Sequence, residues 1–220
     1  MSGDDDGGGE DAGEGCGDDG EEEVEHRELV RMPEIIGRKL TVSVKPTFNH
    51  LLTKIRQPRL MSRYRRMFVP GSTYFFTVTL AERGSDLLIR EIEVLRSAYA
   101  SVTAEHPIKC DAMVVLPDHI HAVWTLPPGD ADFSVRWKKI KATFSRHCPQ
   151  VVDLSQSKAR KGERGIWQRR FWEHFIRDEA DFAAHVEYCH FNPVKHGLVD
   201  QAVDWPYSTV HRAVKEGRYA

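Results

Sequence analysis

The sequence predicts an α+β domain with an antiparallel sheet and helices packed on one face. Three observations lead to this prediction. Short β-rich or apolar segments alternate with amphipathic helical segments, Gly and Pro punctuate the chain between them, and two apolar segments are joined by only a Pro-Asp step. The predicted order β-α-β-β-α-β-α matches the split βαβ, ferredoxin-like arrangement.

The first half of the domain supplies a strand, a helix and a hairpin. Residues 71–80 (GSTYFFTVTL) are rich in β-branched and aromatic residues, which favours a strand. Residues 89–106 carry apolar residues at helical spacing. The apolar segments 108–117 and 119–127 meet at Pro117-Asp118, which predicts two strands joined by a tight turn.

The second half supplies a helix, a strand and a longer helix. These elements are predicted at residues 132–147, 166–177 and 178–197. Asp178 is suited to cap the start of the last helix, and Gly197 is suited to end it. The helix at 132–147 has one apolar face, formed by Phe133, Trp137, Ile140 and Phe144.

Charge divides the chain into two parts. Residues 1–30 hold 13 acidic residues and one basic residue, whereas residues 31–220 hold 30 basic and 20 acidic residues and carry a net charge of +10. We expect residues 1–60 to be an acidic and then basic extension, either disordered or an over-called start. Residues 61–220 are expected to form the single folded domain, whose basic character favours a nucleic-acid partner.

Composition also excludes several classes of protein. The four cysteines, Cys16, Cys110, Cys148 and Cys189, form no CxxC pair, which argues against a disulfide framework and a thiolate zinc site. No apolar run has the length of a membrane span, and the acidic N-terminus does not resemble a signal peptide. We therefore expect a cytoplasmic protein with reduced thiols that is not associated with a membrane.

Two histidines stand out in the segment LPDHIHAVW. Alternate residues of a strand face the same side, so His119 and His121 are expected to converge while Ile120 faces the core. Two converging imidazoles suit a divalent metal. The alternative interpretation is a pair of surface or hydrogen-bonded histidines.

The last helix offers a second polar pair. Tyr188 and Asn192 are four residues apart and share a face, away from the apolar stripe of Phe182, Val186 and Cys189. The amide of Asn192 could be a third metal ligand, with Tyr188 one turn away. Alternatively, Tyr188 packs at the rim of the core and Asn192 caps the end of the helix.

Five motifs occur in order between residues 116 and 212: LPDHIHAVWTLP, FSVRWKKIKATFS, IWQRRFWEHFIRD, HVEYCHFNPVKHGLV and DWPYSTVHR. This series resembles the REP-associated tyrosine transposases, which are single-tyrosine relatives of the HUH endonucleases (His, bulky apolar residue, His). The resemblance covers about residues 61–219. The resemblance implies metal ligands at His119, His121 and Asn192 and a nucleophile at Tyr188.

The resemblance also implies a substrate and a reaction. The partner would be single-stranded DNA with hairpins formed by repetitive extragenic palindromes, and the cofactor would be Mg²⁺ or Mn²⁺. The enzyme, a monomer or homodimer associated with the nucleoid, would nick and rejoin DNA through a 5′-phosphotyrosine. Two alternatives stay open: a domesticated protein that binds hairpin DNA without cleaving it, and a metallohydrolase that needs no tyrosine. No general base is evident: His185 could share the face of Tyr188, whereas His190 should point elsewhere, and both are interpreted as surface histidines.

Basic residues are expected to contact the DNA phosphates. The candidates are grouped in a segment before the first strand, on the second helix and before the fourth strand: Arg63, Arg65, Arg66, Lys138, Lys141, Arg169 and Arg170.

Overall fold

The computed structural model describes residues 66–149 and 165–219. The elements are β1 (Thr73–Thr79), α1 (Leu87–Arg90), α2 (Ile92–Glu105), β2 (Lys109–Val115), β3 (His119–Thr125), α3 (Phe133–His147), β4 (Trp172–Phe175), α4 (Glu179–Lys195), a 3₁₀ turn (Ala202–Asp204) and α5 (Val210–Lys215). Each of the predicted strands and helices has a counterpart, although the predicted first helix is divided into α1 and α2. The expected extension at residues 1–60 lies outside the described residues.

The four strands form one antiparallel sheet in the order β2-β3-β1-β4. β1 and β2 are connected through α2, while β3 and β4 are connected through α3, and each connection passes over a strand of the other pair. This is the predicted split βαβ arrangement, and the α+β fold class is confirmed. Among the described residues, no helix is long and apolar enough to cross a membrane.

One face of the sheet is covered by α2 and α3. Alternate residues of the central strands, such as Phe76, Ile120 and Trp124, pack into a core with both helices. The indoles of Trp124 and Trp137 stack with ring centroids 4.1 Å apart. The expectation of helices on one face holds for this pair.

The opposite face of the sheet is covered by α4. Phe75, Val114 and Val123 leave the sheet on this side and pack against Val186 and Cys189 of the helix. α4 therefore does not join α2 and α3 on their face, because the second apolar face of the sheet also has to be removed from water.

Two local structures determine where β3 and α4 begin, and these two elements carry the polar residues of the second face. Leu116 N–H donates to the carbonyl of His119 at 2.8 Å, so a two-residue turn at Pro117-Asp118 starts β3 at His119, as predicted. At the start of α4, the side chain of Asp178 accepts a hydrogen bond from Asp181 N–H at 2.9 Å, which confirms the predicted N-cap.

The C-terminal end of α4 is closed by a Schellman-type turn. Leu198 N–H donates to the carbonyl of Pro193 at 3.0 Å, and Gly197 adopts a positive φ of 66°. A left-handed conformation at this position favours glycine, as the sequence indicated. Both ends of the helix are thus determined by local residues.

A buried histidine joins α4 to the C-terminal segment. His190 is 1% exposed; its Nδ1 lies 2.8 Å from the Tyr219 hydroxyl and its Nε2 lies 3.0 Å from the Thr209 hydroxyl. Burial and, secondarily, the charge of Arg212 lower the pKa of His190 to about 3. The interpretation of His190 as a surface histidine is therefore wrong, because the residue is a neutral core group.

This buried ring predicts a loss of stability in acid. Below the ordinary histidine pKa of about 6.5 the unfolded chain binds a proton at His190 that the folded chain does not bind until about pH 3. The contribution of the neutral His190 to the free energy of unfolding is fully present above pH 6.5. Below pH 6.5 it falls by up to about 1.4 kcal/mol per pH unit. Urea unfolding of wild type and His190→Gln at pH 7, 6 and 5 should give a smaller pH slope in the variant. Equal slopes would contradict the assignment.

Candidate functional site

Two histidines of β3 face α4. His119 and His121 leave the sheet on the same side, and their ring centroids are 4.8 Å apart. Ile120 between them packs into the core on the other face. The predicted convergence is therefore present. The pair is not a surface pair, because the two residues are only 6% and 2% exposed.

Each imidazole is oriented through its Nδ1 atom. Nδ1 of His119 donates to Oδ1 of Asp118 at 2.5 Å, and Nδ1 of His121 lies 3.0 Å from the hydroxyl of Thr77. Thr77 is directly opposite His121 in the pairing of β1 with β3. These contacts leave Nε2 as the remaining nitrogen of each ring, and they fix the direction in which it points.

Asp118 is itself held as an anion. Its Oδ2 accepts a hydrogen bond from Gly84 N–H at 2.9 Å and lies 3.1 Å from Nε of Arg83. Burial acts to raise the pKa of Asp118, but the hydrogen bonds from Gly84 and His119 and the charge of Arg83 outweigh it and lower the pKa. The carboxylate therefore stays charged beside His119.

The two imidazoles are neutral at neutral pH. Burial lowers the pKa of His121 well below its ordinary value, and the nearby charges of His119, His196 and Lys195 lower it further. Burial also lowers the pKa of His119, although Asp118 opposes the shift. Neutral imidazoles are the form that binds metal ions.

One face of α4 lies over the histidine pair. Tyr188, Asn192 and His196 are spaced four residues apart, so they follow one another along that face. The ring of Tyr188 is 5.1 Å from that of His121, and the ring of His196 is 5.4 Å from that of His119. Because the residues one turn before and one turn after it contact the pair, Asn192 faces the pair as well.

The side chain of Asn192 is buried without a partner. The residue is 0% exposed, and within the described part of the chain neither Oδ1 nor Nδ2 has a hydrogen bond. An unpaired buried polar group costs about 1–3 kcal/mol, which favours a partner from outside the chain. The alternative of a helix cap is not supported, because α4 continues through Pro193 to Lys195.

These residues fit a divalent cation. The Nδ1 contacts leave Nε2 of each ring, and Asn192, on the helix face that covers the two rings, has a buried amide without a partner among the described residues. Imidazole and carbonyl-type ligands together suit first-row divalent ions. The donor set of His119, His121 and Asn192 carries no negative charge, so the charge of a bound ion would be left to act on a substrate.

A second group in the described residues could also hold a metal ion. Nε2 of His174 lies 2.9 Å from Oδ2 of Asp181, Nδ1 of His185 lies 3.1 Å from Oδ1, and the ligand atoms lie within 4.8 Å of one another. Nε of Arg177 is 3.3 Å from the same carboxylate and balances its charge. His185 is 5% exposed, which corrects its interpretation as a surface histidine.

A lysine accompanies the tyrosine. Nζ of Lys195 lies 3.5 Å from Oη of Tyr188 and 4.7 Å from the centroid of its ring. Tyr188 is partly buried and packs edge-on against Phe75 at 5.7 Å. Lys195 and His196 are exposed, so the site is open to solvent at the C-terminal end of α4.

Two of the predicted DNA-binding residues serve the fold. Nε of Arg66 lies 3.0 Å from Oε1 of the buried Glu173, and its guanidinium lies 4.4 Å above the ring of Phe171. Nζ of Lys141 donates to the carbonyl of Gln168 at 2.6 Å. Burial lowers the pKa of Lys141 to about 8. Both side chains are engaged within the fold, and their contact with DNA phosphates stays a prediction.

Three other candidates are exposed: Lys138, Arg169 and Arg170. The bond from Lys141 to Gln168 places α3, and with it Lys138, next to the segment that carries the two arginines. Arg63 and Arg65 lie outside the described residues.

This exposed basic group adjoins the histidine end of the sheet. Gln168 N–H donates to the carbonyl of Thr79 at 2.9 Å, and Thr79 is paired with His119. The segment that contains Arg169 and Arg170 therefore begins at the end of the sheet where the histidine pair lies.

Sequence reasoning missed four residues of the site. Asp118 directly precedes the histidine pair, so its position was an available signal. Lys195 and His196 continue the helical face of Tyr188 and could have been found by the same spacing. Thr77 carries no local signal, because only the register of β1 against β3 brings it to His121.

No family model matches the chain, but individual proteins are similar to it. The REP-associated tyrosine transposase of Escherichia coli K12 is 48% identical over 159 residues, which cover 72% of this chain and 88% of that protein. A Haemophilus influenzae protein with the same family name is 44% identical over 160 residues, which cover 72% of this chain and 91% of that protein.

A solved structure gives the same result. It is described as a REP-associated tyrosine transposase bound to a REP hairpin, and it matches with a TM-score of 0.63 and 47% identity over 73% of this chain and 89% of its own. Identity at this level over more than two thirds of the chain shows common descent. The chain belongs to the family of REP-associated tyrosine transposases.

Proposed function

We propose that this protein is a hairpin-DNA-binding transposase that nicks and rejoins single-stranded DNA, with Tyr188 as its nucleophile. One observation supports the proposal above all: the ring of Tyr188 lies 5.1 Å from that of His121, which converges with His119, and Asn192, one turn after Tyr188, is buried without a partner among the described residues. The relative bound to a REP hairpin supports hairpin DNA as the ligand. Family membership supports a DNA-processing enzyme.

The proposed reaction exchanges one phosphodiester for another. Oη of Tyr188 attacks the scissile phosphorus, the new P–O bond forms, and the bond from phosphorus to the 3′-oxygen breaks. The phenolic proton passes to solvent, and the departing 3′-oxygen takes up a proton. The products are a 5′-phosphotyrosine and a free 3′-hydroxyl. The reverse attack by a 3′-hydroxyl rejoins a strand without an external energy source.

His119 and His121, through Nε2, and Asn192, through Oδ1, would hold the divalent cation. A bound Mg²⁺ or Mn²⁺ supplies positive charge for the phosphate and orients it, and the nitrogen-rich ligand set favours Mn²⁺. The chain's own contribution is positional. Asp118 and Thr77 hold the imidazole rings, while α4 holds the tyrosine beside them.

The first prediction from this proposal concerns the nucleophile. Tyr188→Phe removes only the hydroxyl, so the fold should be kept while formation of the covalent protein–DNA adduct falls by at least about 10³-fold. The substrate is a single-stranded hairpin from the flanks of the gene, with Mn²⁺ or Mg²⁺, and the adduct is read on a denaturing protein gel. Tyr207→Phe is the matched control, because Tyr207 packs against the core on the other face and should leave the adduct unchanged.

The outcomes of this assay separate the alternatives. An adduct that is lost in Tyr188→Phe and after EDTA treatment supports the proposed reaction. Hairpin binding without an adduct, with either ion, would show a binding protein that does not cleave. Cleavage that persists in Tyr188→Phe would show a hydrolase that uses water as its nucleophile.

The second prediction concerns the carboxylate behind His119. Asp118→Asn should weaken Mn²⁺ binding by about 10- to 100-fold, because partners of this kind orient the ligand and raise its basicity. Titration calorimetry with Mn²⁺ measures the effect in protein whose fold is checked by circular dichroism. Asp111→Asn, at the opposite end of the paired strands β2 and β3, is the control and should leave the affinity unchanged. Equal affinities in wild type and Asp118→Asn would refute the assignment.

The third prediction separates the two kinds of basic residue. Lys138→Ala should reduce the slope of log affinity for hairpin DNA against log salt by about 1 and change stability little. Arg66→Met should leave that slope unchanged and destabilise the fold by about 1–3 kcal/mol, because it removes the ion pair of Arg66 with the buried Glu173. DNA binding is measured between 50 and 200 mM salt, a range over which phosphate contacts weaken strongly, and stability is measured by urea unfolding. A reduced slope in Arg66→Met and an unchanged slope in Lys138→Ala would contradict the prediction.

A further inference from the structure

Lys195 is a third polar side chain of α4 in line with Tyr188 and Asn192. Lys195 lies seven residues after Tyr188 and three after Asn192, so the three residues follow one face of the helix over two turns. Its Nζ lies 3.5 Å from Oη of Tyr188. The contact therefore reaches the atom that forms the bond to phosphorus in the proposed reaction.

The end of α4 favours a cation at this position. Lys195 is the last residue of the helix, where the unpaired carbonyl groups make the local potential negative. The turn at Gly197 closes the helix directly afterwards, so the backbone of Lys195 is held in place. The stem of the side chain crosses the ring of Tyr188, with Nζ 4.7 Å from the centroid.

Other charged groups near the tyrosine are already engaged. Nδ1 of His185 lies 2.8 Å from the carbonyl of Asp181 one turn earlier and close to the Asp181 carboxylate. His119 and His121 are assigned to the cation site. Among the described residues, the positive group that the structure places at the tyrosine hydroxyl is Lys195.

We infer that Lys195 stabilises the negative charge on the tyrosine oxygen, both when that oxygen attacks the DNA and when it departs during rejoining. The inference rests on the proposed function. As the phenolic proton leaves for solvent, the ammonium group donates a hydrogen bond to the phenolate oxygen. In the reverse reaction the P–O bond to Tyr188 breaks, and the same ammonium receives the charge that returns to the oxygen. Lys195 neither gains nor loses a proton in this scheme.

The test separates chemistry from binding. Single-turnover adduct formation at saturating hairpin DNA and Mn²⁺ gives the chemical rate constant, and fluorescence anisotropy gives the Kd. Lys195→Met should lower the rate constant by roughly 10- to 100-fold, the effect of losing one donor to a developing oxyanion at a partly exposed site, with a Kd changed by less than about threefold. Lys195→Arg, which keeps the charge, should recover most of the rate.

A matched control variant tests whether the effect is specific to Lys195, and a second substrate tests which oxygen atom Lys195 acts on. Lys109→Met removes a lysine at the opposite end of β2 and β3 from the site and should match wild type. DNA with sulfur in place of the scissile 3′-oxygen has a better leaving group. If Lys195 acts on the tyrosine oxygen, Lys195→Met should be slow on this substrate by a similar factor.

Each other outcome overturns the inference in a recognisable way. A loss confined to Kd would make Lys195 a phosphate contact only. A defect that disappears with the sulfur substrate would place its action on the leaving group. Rates equal to wild type would show that Lys195 takes no part in the reaction, while the assignment of Tyr188 as the nucleophile would stand. The absence of any adduct in wild type would overturn the proposed function together with this inference.

Discussion

The packing of α4 on the second face of the sheet is the constraint on which the site depends. Val186 and Cys189 of the helix cover the apolar side chains of the sheet: Phe75, Val114 and Val123. This apolar contact sets the distance of the helix from the sheet and its rotation about its own axis. With one stripe of the helix buried in this way, the adjacent stripe lies over the start of β3. The core contact and the proposed active site are therefore two parts of a single interface.

Polar groups inside such an interface must be paired or kept neutral. His119 and His121 meet this requirement through hydrogen bonds at Nδ1 and through depressed pKa values that keep the rings uncharged. Asn192 does not meet it with any described residue. The unpaired amide is thus the feature that most directly supports the proposed cation site, because it lies on the helix face that covers the two imidazoles.

The basic residues illustrate how charge is divided between folding and binding. Arg66 neutralises a buried carboxylate, and Lys141 holds the segment that leads into β4. Lys138, Arg169 and Arg170 stay exposed near that segment. A basic sequence segment therefore does not identify which of its side chains stay exposed, because the neighbours of each side chain come from distant parts of the chain.

The sequence by itself determined the features that depend on local periodicity. Alternation along a strand placed both histidines on one face, helical spacing aligned Tyr188 with Asn192, and Asp178 and Gly197 marked the ends of α4. Only the tertiary structure decided which face of the sheet α4 covers, which hydroxyl meets His121, and that Asn192 is buried without a partner. Periodicity acts over a few residues, whereas Thr77 and His121 are 44 positions apart and meet only through strand register.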